Sequence, residues 1–435
     1  MKVNIIGAGI TGLAAAYFLS KEGHEVNVFE SATEPGGLSG FFPVEGMYLE
    51  KYYHHIFSGH TALIELMKDL HLEQEILFNK VKMGFFYEKR IYPFATARDL
   101  LTFTPLKIVD RFRLGLSSLM MMRIEDWKKM EKKTAMQWLS KYSGEEACRI
   151  IWKPLLKMKF GDNYDRISAA WLWNRVVDRK KSKEKGGAKE TLGYIKTGYK
   201  ILFDALVKEI KEHGGEIYTG TTIEKIAAQN GRSSGVMVNG ELMNGDVVLA
   251  TMPVPAFLRL APSLPDDYVR SLKSIQYQGS TCVIIKLKKS LSDYYWINVS
   301  DPDSPFVGII EHTHLLPSEY YGNRHLVYLT RYSSSNDPIF SKPHEEIYRD
   351  FAVYLHQIFP KFQVEEVEQH WVFQDCFSQP VFVQDYSRIM PETSTAIRNL
   401  YLLNTAQLYP ESRCLNSSIV KARDVVNKMA QENGK

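Results

Sequence analysis

Three glycines near the start of the chain have the spacing of a phosphate-binding turn. Gly7, Gly9 and Gly12 form a G-x-G-x-x-G pattern that contains Ile10 and Thr11. The first glycine permits a tight turn, the second lets the backbone approach a pyrophosphate, and the third lets a helix pack closely on a strand. The N–H groups at the start of that helix then face the phosphate anion. The pattern therefore predicts a dinucleotide-binding site.

An acidic side chain follows at the position where a ribose contact is expected. Glu30 ends the next apolar segment, eighteen residues after Gly12. A carboxylate at this point accepts hydrogen bonds from a ribose diol and repels a 2′-phosphate, so it disfavours an NADP-type ligand. We include the neighbouring Ser31 among the predicted cofactor contacts.

A strand–helix–strand unit is needed to bring these residues together, and the sequence predicts one. Residues 2–6 are typical of a buried strand, residues 12–22 of a helix, and residues 26–29 of a second buried strand. Gly23 stands where a left-handed helix end is expected. The glycine pattern therefore has the context that a dinucleotide site requires.

A second glycine segment, residues 35–39, points to one kind of dinucleotide. Here the chain resembles the flavoprotein superfamily of amine oxidases, protoporphyrinogen oxidases, phytoene desaturases and UDP-galactopyranose mutases. The resemblance covers essentially the whole chain and is most specific over residues 3–40. It implies that FAD is the cofactor and that the backbone lies against the pyrophosphate and flavin, where a Cβ would clash. The contacts implied in this segment are Gly36, Gly37, Leu38 and Ser39.

The same resemblance implies cofactor contacts further along the chain. Ile223 matches a strand beside the adenine, and Thr251 matches a strand end beside the dinucleotide. Asn404 stands where the family usually has Gly-Asp. The last helix would point its N-terminus at the flavin O2 edge, where negative charge collects on reduction. The residues implied there are Asn416, Ser417, Ser418 and Ile419.

The strand and helix patterns favour an α/β fold with an interleaved architecture. We expect a Rossmann-type FAD-binding domain built from residues 1–80, 190–275 and 395–435. The intervening α+β substrate domain would combine a helical insert, 81–189, with an antiparallel sheet, 276–394. Repeated alternating strands between 280 and 376 are typical of a sheet with one buried face.

Candidate catalytic residues are few, because a flavin supplies the reactivity and the protein supplies position and electrostatics. His54 and His55 could polarise the flavin or hold a substrate hydroxyl, or they could be packed core residues. Arg331 lies on a predicted strand at a place comparable to a diphosphate-binding arginine of the mutases. The aromatic and basic segment 152–161, with Arg175, could clamp a ring and a phosphate or form helix core.

Two enzymatic functions and one non-catalytic function fit these residues. The first is an FAD-dependent oxidoreductase that accepts a hydride at flavin N5 from a C–H bond of a small molecule. The substrate would be an amine, a porphyrinogen, an isoprenoid or a sugar derivative. The second is a sugar-nucleotide mutase in which reduced flavin N5 attacks an anomeric carbon with no net electron transfer. The third is a dinucleotide-binding assembly protein without catalysis.

Composition limits the partners and the compartment. The 435 residues carry a net charge of +4, too little to favour nucleic acid as a partner. The four cysteines have no metal-ligand or redox spacing, and we expect no metal site. With no signal-peptide pattern and no disulfide framework, the sequence predicts a cytoplasmic protein.

Residues 97–125 are notably apolar for a region expected to be helical. They could line a channel for a lipid-like substrate or touch a membrane surface. We favour a domain core or a contact between two copies of the chain.

Overall fold

A computed structural model describes residues 1–181, 191–261, 263–411 and 413–433. The predicted boundary between the helical insert and the second cofactor segment, at residues 189 and 190, lies outside these ranges. Residues on both sides of that boundary are described.

The strands of the described residues are short, apart from three long ones in the second half of the chain. In chain order they are β1 (Lys2–Ile6), β2 (Glu25–Phe29), β3 (Phe41–Val44), β4 (Met47–Glu50), β5 (Ile56–Phe57), β6 (Ile76–Lys80), β7 (Met83–Tyr87), β8 (Arg90–Pro93), β9 (Thr191–Ile195), β10 (Glu216–Tyr218), β11 (Lys225–Gln229), β12 (Arg232–Val238), β13 (Glu241–Asn244), β14 (Val247–Ala250), β15 (Tyr277–Leu287), β16 (Trp296–Val299), β17 (Gly308–Glu311), β18 (His325–Ser334), β19 (Val367–Pro380) and β20 (Leu400–Leu402).

Half of the α-helices of the same ranges lie between residues 97 and 181. In chain order they are α1 (Ile10–Lys21), α2 (Thr61–Asp69), α3 (Ala97–Thr102), α4 (Ile108–Met122), α5 (Lys128–Glu131), α6 (Ala135–Ser143), α7 (Glu145–Ala147), α8 (Lys153–Phe160), α9 (Ala169–Lys181), α10 (Lys200–Glu212), α11 (Val254–Leu260), α12 (Asp266–Lys273), α13 (His344–Ile358) and α14 (Leu415–Asn433). None of the helices described has the length and apolar character needed to span a bilayer.

A parallel five-stranded sheet carries the glycine pattern. Its strand order is β10-β2-β1-β14-β20, and every neighbouring pair is parallel. Strands β1 and β2 are almost fully buried. One face of the sheet packs against α1, α10 and α14, and the other packs against β11, β12 and α11. The buried alanines Ala14, Ala15 and Ala16 let α1 lie close to the strands. This arrangement confirms the predicted α/β fold with a Rossmann-type sheet.

A second, seven-stranded sheet lies beside the first. Its order is β19-β15-β18-β17-β16-β7-β8, antiparallel except where β16 runs parallel to β7. The predicted antiparallel substrate sheet is therefore present in a mixed form. Its edge hairpin β7–β8 comes from the stretch that the sequence assigned to the helical insert, so the helices of that insert begin only at Ala97.

The helices between residues 97 and 181 pack into a body with its own apolar clusters. Reciprocal side-chain caps fix two of their starts, Thr96 with Asp99 at α3 and Thr134 with Gln137 at α6. The core interpretation of residues 97–125 holds for only part of this stretch. Among its apolar residues, Phe103, Leu106, Leu114 and Met121 are buried, whereas Leu101, Ile108, Leu116, Leu119 and Met120 are exposed.

Candidate functional site

Five glycines form two facing loops, which we call the glycine cradle: Gly7, Gly9, Gly12, Gly36 and Gly37. A Cβ on Gly12 would lie 2.0 Å from the Gly7 carbonyl oxygen, so no larger residue fits there without a backbone shift. Gly7 has φ +106° and Gly36 has φ +146°, values that L side chains rarely adopt. The Gly36 N–H donates to the Ala8 carbonyl at 3.0 Å and so joins the two loops.

Glu30 is held rigidly beside the cradle. One carboxylate oxygen accepts the Ala8 N–H at 2.8 Å, and the other accepts the Ala32 N–H at 2.9 Å. The carboxylate keeps further lone pairs, which can accept hydrogen bonds from a diol. The predicted ribose contact is thus positioned by the same loop that would receive the phosphates.

A cavity of about 720 Å³ extends from the cradle to the seven-stranded sheet. Its volume lies in the range of small-molecule and cofactor sites. Most of the predicted cofactor contacts line it: Gly7, Gly9, Ile10, Thr11, Glu30, Ser31, Gly36, Gly37, Leu38, Ser39, Ile223, Thr251, Asn404 and Ser418.

Four predicted contacts are absent from the lining: Gly12, Asn416, Ser417 and Ile419. The Asn416 side chain accepts the Leu63 N–H at 3.1 Å, in the first turn of α2, and Ile419 is fully buried in the core. Gly12 acts through the packing of α1, and Ser417 is buried against the Cys414 thiol. The start of α14 still reaches the cavity through Cys414, Leu415 and Ser418.

His54 and His55 both line the cavity, in different settings. His54 contacts the Tyr52 carbonyl through Nδ1 at 2.6 Å and the Ser39 hydroxyl through Nε2 at 3.2 Å. His55 lies 3.4 Å from the Tyr295 hydroxyl. Burial lowers the pKa of His54 to about 4 and that of His55 to about 3. Both rings are therefore neutral at physiological pH. The two contacts of His54 also connect Ser39, at the end of the second glycine loop, to Tyr52.

A lysine and two tyrosines meet on the far side of the cavity. The hydroxyl groups of Tyr53 and Tyr332 are 2.6 Å apart, and Lys159 Nζ lies 3.9 Å from the centre of the Tyr332 ring. Burial, partly offset by the neighbouring phenol, lowers the pKa of Lys159 to about 8. Burial alone would raise the pKa of Tyr332, but the positive charges of Lys159 and Arg413 lower it to about 8.

Two arginines add to this positive charge. Arg175 on α9 and Arg413 before α14 line the same cavity, and their charges act on Tyr53 and Lys159. In the described ranges, none of the ion pairs within 4 Å involves Lys159, Arg175 or Arg413. We call these three residues the cation cluster.

Arg331 does not join the cluster. Side chains alternate across a strand, and β18 directs Thr330 and Tyr332 into the cavity. Arg331 therefore projects from the other face, where it pairs with Asp337 at 3.2 Å. Its interpretation as a diphosphate-binding residue is not supported by this position.

The sequence interpretation missed a buried carboxyl group beneath the site. Glu50 is fully buried and accepts the Tyr199 N–H at 2.7 Å and the Tyr194 hydroxyl. Burial raises the pKa of Glu50 to about 7. The Tyr328 hydroxyl donates to the Glu50 carbonyl at 2.7 Å. Glu50 thereby links the strand before His54 to Tyr199, which lines the cavity.

A Rossmann-type parallel sheet with its glycine cradle and a mixed seven-stranded sheet thus border one cavity, which is the arrangement of a class of flavoproteins. The chain belongs to the flavin-containing amine oxidoreductase family, whose model matches residues 10–410. It is thus a member of a family of flavin-dependent oxidoreductase enzymes, as the sequence resemblance indicated.

The chain is similar to two kinds of characterised enzyme. It is 26% identical to coproporphyrinogen III oxidase of Staphylococcus aureus in an alignment 314 residues long, which covers 62% of this chain and 65% of that protein. The match thus spans slightly less than two thirds of that relative. It is 22% identical to zeta-carotene desaturase of Arabidopsis thaliana in an alignment 463 residues long, gaps included, which covers 95% of this chain and 82% of the relative.

A solved structure shows the same fold. A crystal structure of reduced UDP-galactopyranose mutase superposes with a TM-score of 0.78 and 16% identity, covering 100% of this chain and 96% of the mutase chain. At this identity the likeness concerns the fold alone.

Proposed function

We propose that this chain binds FAD in the described cavity and oxidises an acidic, partly apolar small molecule. The glycine cradle supports the cofactor assignment, because its residues have no Cβ that would keep a pyrophosphate away from the backbone. Glu30, fixed by two backbone N–H groups, would hold the adjoining ribose. When bound, the flavin would accept a hydride at N5 from a C–H bond of the substrate.

The cation cluster is the observation that carries the substrate assignment. Three basic side chains without an ion-pair partner in the described part of the chain would repel a substrate ammonium group and attract a carboxylate or phosphate. Besides Glu30, two carboxylates line the cavity, Asp178 and Asp375, and burial raises the pKa of Asp375. Arg259 also lines the cavity, so four basic side chains stand against three carboxylates.

The chain's own residues would position the substrate rather than exchange protons through histidine. His54 and His55 are neutral, so they can orient a polar group without adding charge. Arg175 and Arg413 would each form bidentate hydrogen bonds with an acidic group. Tyr52, Tyr53 and Phe377 supply ring surfaces in the same lining. This combination suits a porphyrinogen with carboxylate side chains better than an amine or a neutral polyene.

Anaerobic mixing with candidate substrates tests the proposal. Coproporphyrinogen III should bleach the oxidised flavin band, whereas a primary amine and a zeta-carotene micelle should leave it unchanged. A Lys159→Met, Arg175→Met double variant should keep the flavin and lose most of this bleaching. Bleaching by the amine, or equal bleaching by wild type and double variant, would contradict the acidic-substrate assignment.

A sugar-nucleotide mutase is the second candidate, because the cation cluster would also fit a nucleotide-sugar diphosphate. The mutase function loses the diphosphate contact expected from Arg331, because this side chain faces away from the cavity. The two functions separate under reducing conditions. Dithionite-reduced protein that interconverts UDP-galactopyranose and UDP-galactofuranose would establish the mutase, and failure to bind either nucleotide sugar would remove it.

A further inference from the structure

An exposed apolar surface lies on the helical body, away from the cavity. Of the twelve large hydrophobic side chains that are exposed in the described residues, seven fall within a single stretch of twenty residues. We call these seven the apolar ridge: Leu101, Ile108, Val109, Phe112, Leu116, Leu119 and Met120. None of them lines the cavity. The described residues therefore leave the ridge uncovered, and it takes no part in the cavity lining.

The ridge has the geometry of a second helix face. Six of its members belong to α4, at spacings that place them along about a third of the helix circumference. The opposite face of α4 buries Leu114, Ser117 and Met121 against the helical body. The Ser117 hydroxyl further contacts the Ser143 hydroxyl at 2.8 Å. The helix is thus anchored on one side and presents apolar side chains on the other.

The degree of exposure is unusual for side chains of this size. Val109 is 71% exposed, Phe112 is 62% exposed and Leu116 is 58% exposed. Single exposed apolar residues are ordinary, but contiguous patches on soluble proteins mark contact sites. A partner that covers aromatic and branched aliphatic groups together is therefore expected.

The charge around the ridge selects that partner. Residues 97–133 contain nine Lys and Arg against five Asp and Glu, a net charge of +4 that equals the charge of the whole chain. Exposed basic side chains stand at both ends of α4, Lys107 before it and Arg123 after it, and Lys128 and Lys132 follow. An apolar helix face bordered by cations at both ends complements an anionic lipid surface, with acyl chains under the ridge and headgroups at the basic side chains.

We propose that the apolar ridge docks this protein onto the surface of an anionic phospholipid bilayer, with α4 lying in the plane of the interface. A second copy of the chain fits less well, because apposing two such surfaces would bring the basic ends of two α4 helices close together. The proposal is independent of the flavin chemistry, since the ridge and the cavity share no residue.

Flotation of the purified holoprotein with lipid vesicles tests this docking. Vesicles of phosphatidylcholine with 30 mol% phosphatidylglycerol should carry at least tenfold more protein than vesicles of phosphatidylcholine alone, and 0.5 M NaCl should reduce the bound fraction. A Phe112→Asp, Leu116→Asp double variant should stay unbound while keeping its flavin content and unfolding temperature. Val353→Asp, at an exposed apolar position on α13, is the matched control and should bind like wild type.

Three results would overturn the proposal. Wild type could fail to float with either vesicle. It could also float equally with both, which would show that the basic side chains beside the ridge do not select anionic lipid. Light scattering after gel filtration could instead show a dimer that the Phe112→Asp, Leu116→Asp variant converts to monomer. That last outcome would assign the ridge to a contact between two copies.

Discussion

Replacing Gly9 by alanine separates cofactor binding from folding. Gly9 has φ −72° and ψ 176°, a conformation open to any residue. A Cβ there would meet nothing in the protein closer than the Gly37 Cα at 3.8 Å. Alanine is a weaker helix N-cap than glycine, but it also restricts the unfolded chain, and the two effects are each below about 1 kcal/mol. We therefore expect the flavin-free protein to unfold at nearly the wild-type temperature.

The same methyl group would stand inside the cavity, because Gly9 lines it. If the pyrophosphate approaches the backbone there, the methyl group displaces it from one or two N–H donors, at about 1.5–3 kcal/mol each. A loss of about 3 kcal/mol raises the FAD dissociation constant more than ~100-fold. Fluorescence titration of deflavinated protein measures this constant, and calorimetry measures the unfolding temperature.

Gly115→Ala is the matched control. Gly115 lies on α4, and a Cβ there would make only an ordinary 3.4 Å contact with Leu100. It should bind FAD like wild type. Gly9→Ala protein with wild-type FAD affinity and an unchanged unfolding temperature would refute the assignment of this loop to the cofactor.

Three further predictions concern charged groups of the site. Glu30→Gln places an amide donor against a backbone N–H or a ribose hydroxyl, and the unpaired group should weaken FAD binding by about 1–3 kcal/mol in the same titration. The affinity for a dicarboxylate inhibitor should fall as the pH rises through about 8, since deprotonation of Lys159 or of Tyr332 lowers the positive charge in either case; a flat profile from pH 6.5 to 9.5 would disprove this. Glu50, with its raised pKa, favours the folded state most below its unfolded pKa near 4.5, and this contribution is lost as the pH rises through about 7. The unfolding temperature of wild type relative to Glu50→Gln should therefore be lower at pH 8 than at pH 5.

The parts of the site that the sequence predicts well are local. The glycine pattern, the helix after it and Glu30 lie within thirty residues, and each carries its own conformational or hydrogen-bonding requirement. Their context of strand, turn and helix is visible in the same stretch. The family resemblance then extends this to Thr251 and Asn404, which also line the cavity.

The substrate side is harder to predict, because its contacts join distant segments. Tyr53 and Tyr332 are 279 positions apart, and Lys159 reaches them from a helix between. Arg331 shows a different difficulty. The strand that holds it is predicted, but which face of a strand meets a cavity depends on register with its neighbours, here Thr281 opposite Arg331. A shift of one residue exchanges Arg331 for Tyr332.

The order of strands in the parallel sheet has a consequence for how the protein matures. Strand β1 pairs with β14, as Val3 does with Val247, and β14 pairs with β20, as Val248 does with Leu400. Synthesis must therefore reach residue 402 before this sheet can close, because β20 forms one of its edges. The cavity lining includes Asn404 and Ser418, so a cofactor could meet the whole lining only after residue 418 has been synthesised.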